Sequence, residues 1–254
     1  MKKIILVLSI ILGFVIESSS QNLVLDAPEK FEKKIEKIIS LNINCDIISR
    51  WIWRGVDYGS SPTIQPYLSI TTGNFEFGTY GSVTTRNTYS DLELFAKYNY
   101  KNLSLVVTDY FFQDGLPLGG PTNTMTPNTK YFNFDNHTTG HLTEATLQYK
   151  TKNLSLQANT FIYGWWDKDI YNKQKYSTYI EAAYSIYIKD NKLDIFVGGN
   201  PFDSPIYGKR NIINTGITGY KTLNITDKYT IPLRVTLVTN PTTEKIYLVL
   251  GISL

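Results

Sequence analysis

From Leu41 to the last residue, apolar and polar positions alternate with a period of two, the signature of strands that bury or greet different solvents on their two faces. Leu154, Leu156, Ala158 and Ile162 alternate with Ser155, Gln157 and Asn159. Leu92, Leu94 and Ala96 alternate with Asp91, Glu93 and Lys97. Tyr229, Ile231, Leu233, Val235 and Leu237 alternate with Thr230, Arg234 and Thr236. The pattern predicts twelve strands, at 41–54, 63–72, 74–86, 89–100, 102–113, 141–150, 153–165, 175–188, 192–199, 211–223, 228–239 and 245–254. Only residues 22–39 read as a helix, with Pro28 suited to a first turn and Phe31, Ile35, Ile38 and Ile39 on one face. A solvated linker is the other reading of that segment.

The connections alternate in length. "TGN" (72–74), "KN" (101–102), "KTKN" (150–153), "KDNK" (189–192) and "NITDK" (224–228) are short, whereas 55–62, 114–140, 166–174 and 200–210 are longer. Short turns on one side and long loops on the other describe an all-β, antiparallel up-and-down transmembrane barrel with an even strand number. "RNT" (86–88) and "TNPTTEK" (239–245) are short for the long-loop side. A Greek-key sandwich would not alternate in this way. Pro66 and Pro232 fall inside expected strands, where each removes a ladder donor.

The amino terminus places this pattern in a compartment. "MKKIILVLSIILGFVIESSSQ" has two lysines, an apolar run and a small-residue patch, the layout of a cleaved secretory signal. Residues 1–20 are therefore expected to be a signal peptide, 21–40 a periplasmic segment and 41–254 a barrel in a bacterial outer membrane. A formal net charge of +3 without a clustered basic face is no nucleic-acid footprint. One cysteine, Cys45, excludes an internal disulfide and a cysteine-built metal site. The 19 Tyr and 12 Phe against 2 His shift attention from catalysis to membrane surfaces.

Two residue sets follow from the phases. The expected lumen lining is Asp46, Arg50, Glu76, Tyr80, Asp91, Glu93, Lys97, Glu144, Tyr163, Tyr179, Glu181, Asp194, Phe196 and Arg234. The expected membrane girdles are Trp51, Trp53, Phe75, Phe77, Tyr98, Tyr100, Tyr149 and Tyr229, aromatics at strand ends with aliphatics between. The lipid bilayer is the expected partner. The final strand, Ile246, Leu248, Leu250, Ile252 and Leu254 on one face, is expected to close the barrel and to be read by an outer-membrane assembly machine.

Residues 48–82, "ISRWIWRGVDYGSSPTIQPYLSITTGNFEFGTYGS", resemble the TorF-type family of porin-like outer-membrane proteins. The matching positions are Ser49, Arg54, Gly55, Pro62, Ile64, Gln65, Gly73, Phe77, Gly78, Gly81 and Ser82. "TGHLTEATLQY" and "VTLVTNPTTEKIYLVLGISL" also read like outer-membrane proteins of Bacteroidota-type bacteria. The resemblance implies an outer-membrane barrel with porin activity. The chain ends in Leu254 where many such barrels end in Phe.

Chemistry is sparse. His141 with Glu144 and a hydroxyl of Thr138, Thr139 or Ser90 is the one constellation that could act on lipids, and two loop-edge histidines is the plainer reading. His137 and His141 do not form a zinc-protease motif, and "LPLGGPTNTMTPNT" (116–129) is no phosphate loop. Loop 114–140 either narrows the lumen or stays outside. Neither a cofactor nor a metal is expected. The leading function is a narrow porin for small solutes, weakly cation-selective because lumen carboxylates outnumber lumen cations. The alternatives are a plugged structural or adhesion barrel and, third, a lipid-acting enzyme.

Overall fold

The computed structural model describes residues 39–86, 89–112 and 129–254. The expected signal peptide and nearly all of the segment 21–40 lie outside the described residues, as does 113–128 of the longest loop.

Twelve strands close into one antiparallel up-and-down barrel. They are β1 (Ile39–Ile48), β4 (Thr63–Thr72), β5 (Phe75–Thr84), β6 (Ser90–Tyr100), β7 (Leu103–Phe112), β8 (His141–Lys150), β9 (Leu154–Tyr163), β10 (Thr178–Ile188), β11 (Asn191–Asn200), β12 (Asn211–Thr226), β13 (Tyr229–Asn240) and β14 (Lys245–Ser253). Each pairs with its sequence neighbour, and β14 returns to β1. The closing seam is brief: Asp46, Ile47 and Ile48 stand opposite Ser253, Ile252 and Gly251. Two bonds between Cys45 and Leu254 and one from the Ser49 N–H to the Leu250 carbonyl extend it. Closure joins the first and last strands at this seam, while the first half of β1, Ile39–Asn44, extends past the end of β14 and pairs only with β4.

Two short strands, β2 (Trp51–Trp53) and β3 (Val56–Tyr58), form a separate hairpin in the connection between β1 and β4. The first expected strand, 41–54, therefore splits: the wall starts two residues earlier, at Ile39, and stops at Ile48. Trp51 and Trp53 keep the apolar phase of Ile43 and Ile47, so the pattern could not reveal the bend at Ser49 and Arg50.

Both prolines have a place. Pro66 pairs with Cys45 on one side, while the β4–β5 ladder shows no pairs between Ile64–Val83 and Tyr67–Tyr80, so the missing N–H faces this gap. Pro232 lies opposite Thr222, one residue beyond the first β13–β14 pair at Leu233, where β14 no longer needs a donor.

The outward phase is a continuous apolar band. Ile43, Leu68, Ile70, Leu105, Leu147, Ile195, Leu237 and Leu248 all point away from the lumen and are exposed. Phe75, Phe77, Tyr98, Tyr100, Tyr149 and Tyr229 sit on the same face at the short-turn end, with the Phe75 and Tyr98 rings 4.9 Å apart.

Candidate functional site: a plugged lumen

The lumen has two unlike halves. At the long-loop end it is filled by the β2–β3 hairpin, a tight two-residue turn in which Arg54 (φ 50) and Gly55 (φ 79) are both left-handed, the backbone of a type I′ turn. This turn drives the hairpin tip against the inner wall. A Cβ on Gly55 would stand 1.9 Å from the Ile213 carbonyl oxygen, so only glycine fits, and Asn240 Nδ2 donates to the Gly55 carbonyl at 3.3 Å. Ile213 is the residue left over at the β-bulge where the β11–β12 register shifts after Gly198.

Arg54 then projects across the lumen. Its guanidinium grips Glu144 on the inward face of β8 in a two-pronged pair, at 2.7 and 2.9 Å, and donates to the Tyr207 hydroxyl. Both side chains of the pair are almost completely buried. Burying two charges is tolerable only when every lone pair and proton is engaged. Glu144 also accepts from Tyr110 (3.3 Å), Thr146 (3.1 Å) and Asn159 (3.1 Å). The Arg54 plane lies over the Trp53 and Tyr179 rings at 4.3 and 4.8 Å. Around this pair Tyr58, Tyr89, Phe112, Leu142 and Phe161 form an apolar cluster, joined by Trp51, Trp53, Tyr110, Trp166, Ile206 and Tyr207.

Two further loops help to fill the same end. Tyr207 belongs to 201–210, and burial raises its phenol above the ordinary range although Arg54 beside it opposes this. The loop between β9 and β10 is folded around Asp167, whose carboxylate takes the Ser177 N–H, the Ser177 hydroxyl and the Gln174 amide (2.7 Å). Burial lifts the Asp167 carboxyl, and those donors pull it back.

The short-turn half is open. Beneath the plug lies a cavity of about 330 Å³ lined by Arg54, Glu144, Gln148, Gln157, Asn159 and Glu181, among others. Elsewhere the inward face carries pairs that solvent reaches: Arg234–Asp46 at 2.8 Å, Lys97–Glu76 at 3.5 Å and Lys192–Asp194 at 2.8 Å. Glu76 also accepts from Tyr67 and Ser69, and Glu181 accepts from Tyr179 and Asn214. Asp91 and Glu93, neighbours on the inward face of β6, have no ion-pair partner among the described residues. Both line a void of only about 20 Å³ beside the aromatic plug.

Alternation along the strands turns Asp46, Glu76, Tyr80, Asp91, Glu93, Lys97, Glu144, Tyr179, Glu181, Asp194, Phe196 and Arg234 toward the interior. Arg50, at the bend, pairs with Asp57 of the hairpin at 3.4 Å and lies over the Tyr247 ring.

Two expectations are corrected, and the alternative constellation at His141 is not assembled. Trp51 and Trp53 are not girdle residues: the chain leaves the wall at Ile48, and both rings pack inside, against Tyr80, Tyr58, Tyr110 and Phe161. Tyr163 does not line the lumen. A register shift between Thr143 and Glu144 pairs it with outward-facing Thr143, and its hydroxyl donates to the Phe134 carbonyl at 2.5 Å. His141 and Glu144 do not meet, because residues three apart on a strand face opposite sides. His141 instead lies on the outer face with Asp109 (2.7 Å from Nδ1) and the Tyr131 carbonyl (2.6 Å from Nε2). Both partners are acceptors, so only a doubly protonated ring donates to both. The described part of the long loop, 129–140, is laid over this outer-face cluster, with Phe134 stacked on His141, and does not enter the lumen.

Arg54 is the plug residue whose place the pattern missed. It was legible as a motif position, and "WIWRGVDY" holds a hairpin signal, two short aromatic and β-branched runs around a glycine turn. Nothing in those eight residues says that the hairpin folds inward.

No protein-family model and no curated protein matches the chain, so the resemblance to TorF-type proteins has no support of that kind. Among solved structures, an outer membrane channel of Pseudomonas putida F1 aligns over 85% of this chain and 92% of its own, at 15% identity and a TM-score of 0.33. A likeness that weak carries no argument about function.

Proposed function

We propose that this chain is an outer-membrane barrel that conducts small solutes through a narrow, cation-preferring lumen, held shut at rest by the inward β2–β3 hairpin. Membrane placement is supported by the outward band, because exposed apolar surface of that extent is unfavourable in water and suited to lipid. The long loops then face the exterior and the short turns the periplasm. The observation that carries the gated reading is the Arg54–Glu144 pair, which ties the hairpin tip to the wall directly above an open cavity of about 330 Å³. A barrel meant only as a scaffold has no need of a water-accessible vestibule behind a separable plug. Cation preference follows from charge: Asp91, Glu93, Glu144 and Glu181 stand around the plug, and Arg54 pairs with Glu144 alone.

The test is planar-bilayer conductance of the refolded barrel beside a variant in which residues 50–61 are replaced by a short Gly-Ser linker. The intact barrel is expected to show rare, brief openings and the variant steady ones, with a cation-selective reversal potential under a salt gradient. A variant that folds, resists SDS until heated and stays silent would reject the channel and leave the structural barrel.

A further inference from the structure

The outward face between β9 and β12 is not flat. Register places Leu156, Ala182 and Val197 side by side across three strands, and Ile180, Gly199 and Ile212 beside them in the next outward row. Ala182 and Gly199 are the low points, and the branched residues around them form walls. The resulting groove encloses about 620 Å³. Its floor is dictated by the same bulge that receives the plug. A Cβ on Gly199 would come 2.1 Å from the Asn211 carbonyl oxygen, so the backbones approach too closely there for any side chain to fill the dip.

The groove is apolar along its length and basic at one mouth. Arg210 and Asn211 lie at the long-loop end, with exposed Lys209 next in sequence. Neither Arg210 nor Lys209 has an ion-pair partner among the described residues. The carboxylate at this mouth, Asp203, accepts the Arg210 backbone N–H at 2.7 Å, which fixes the loop and leaves the guanidinium free. Asn200 is turned away, its amide donating to the carbonyls of Phe202, Gly208 and Lys209.

We infer that this groove seats one acyl chain of an anionic lipid from the long-loop leaflet, with Arg210 holding the headgroup. The inference rests on the membrane reading above. A chain on a flat barrel wall touches protein on one side, whereas a chain in this groove touches it on three and gains the corresponding dispersion contacts. The cation at the mouth selects the charge of the headgroup.

The test uses the intact barrel in nanodiscs of phosphatidylcholine with one quarter phosphatidylglycerol, released for native mass spectrometry. One retained lipid per barrel is expected, enriched for phosphatidylglycerol about fivefold over its share of the disc, the bias of a single cation at a membrane surface. Ala182→Trp should abolish retention. Arg210→Glu, at an exposed position with no fold to disturb, should keep a lipid and erase the headgroup bias. Leu94→Trp, on the outward face of β6, should change nothing. Undiminished retention in Ala182→Trp, equal loss in Leu94→Trp, or no bias in the wild type would overturn the site alone. A folded barrel that fails to enter any nanodisc would overturn the membrane reading as well.

Discussion

Arg54–Glu144 and Lys97–Glu76 are both cation–carboxylate pairs inside one barrel, yet they belong to different solvents. The first has side-chain exposures of 8% and 2%; the second, toward the short turns, has 29% and 15%. The wall is the same at both levels, with the same alternation and the same inward polar phase. What differs is the hairpin, which expels water from one level and leaves it at the other. A lumen residue's energetic role is thus set less by its strand than by what lies opposite it. A dry pair must be complete, because a lone charge left behind has no water to fall back on. A wet pair can lose a partner and be rehydrated.

That contrast can be broken or sharpened in order of effect. Glu144→Ala should destabilise the barrel by about 3–5 kcal/mol, the penalty for stranding a buried charge, read from the urea midpoint of its heat-modifiable gel shift. Adding Arg54→Ala should recover part of the loss. A cost under 1 kcal/mol would mean that water reaches the plug.

Next in size, Leu248→Arg on the outward face should cost about 2–4 kcal/mol in a bilayer and much less in detergent. Equal effects in both media would count against lipid as the outer solvent. Gly55→Ala should cost about 1–3 kcal/mol and raise open probability, because its methyl group collides with the Ile213 carbonyl and pushes the tip off the wall. The smallest effect belongs to Glu76→Gln, at about 0–1 kcal/mol and fading in high salt. A large, salt-insensitive loss there would erase the distinction between the two halves.

All twelve wall strands were legible, since alternation along a strand records the solvent on each side and turn lengths record which ends are joined. The inward set from Asp46 to Arg234 was legible for the same reason. Tyr163 was not, because the extra residue in β9 at the bulge reverses the phase, and a bulge leaves no mark in a hydropathy pattern. Trp51 and Trp53 misled because an aromatic suits a membrane girdle and a plug core equally well.

The boundary between these cases is local against long-range. Strand and turn each depend on residues close in sequence, so period-two alternation and connection length suffice to specify the strands and their up-and-down order, while the seam itself joins Asp46 to the distant Ser253. The plug depends on Arg54 finding Glu144 ninety positions away and on Gly55 meeting a carbonyl at Ile213. Two chain segments that meet only in the tertiary structure leave no periodicity behind, and the direction in which the hairpin folds is fixed by that packing.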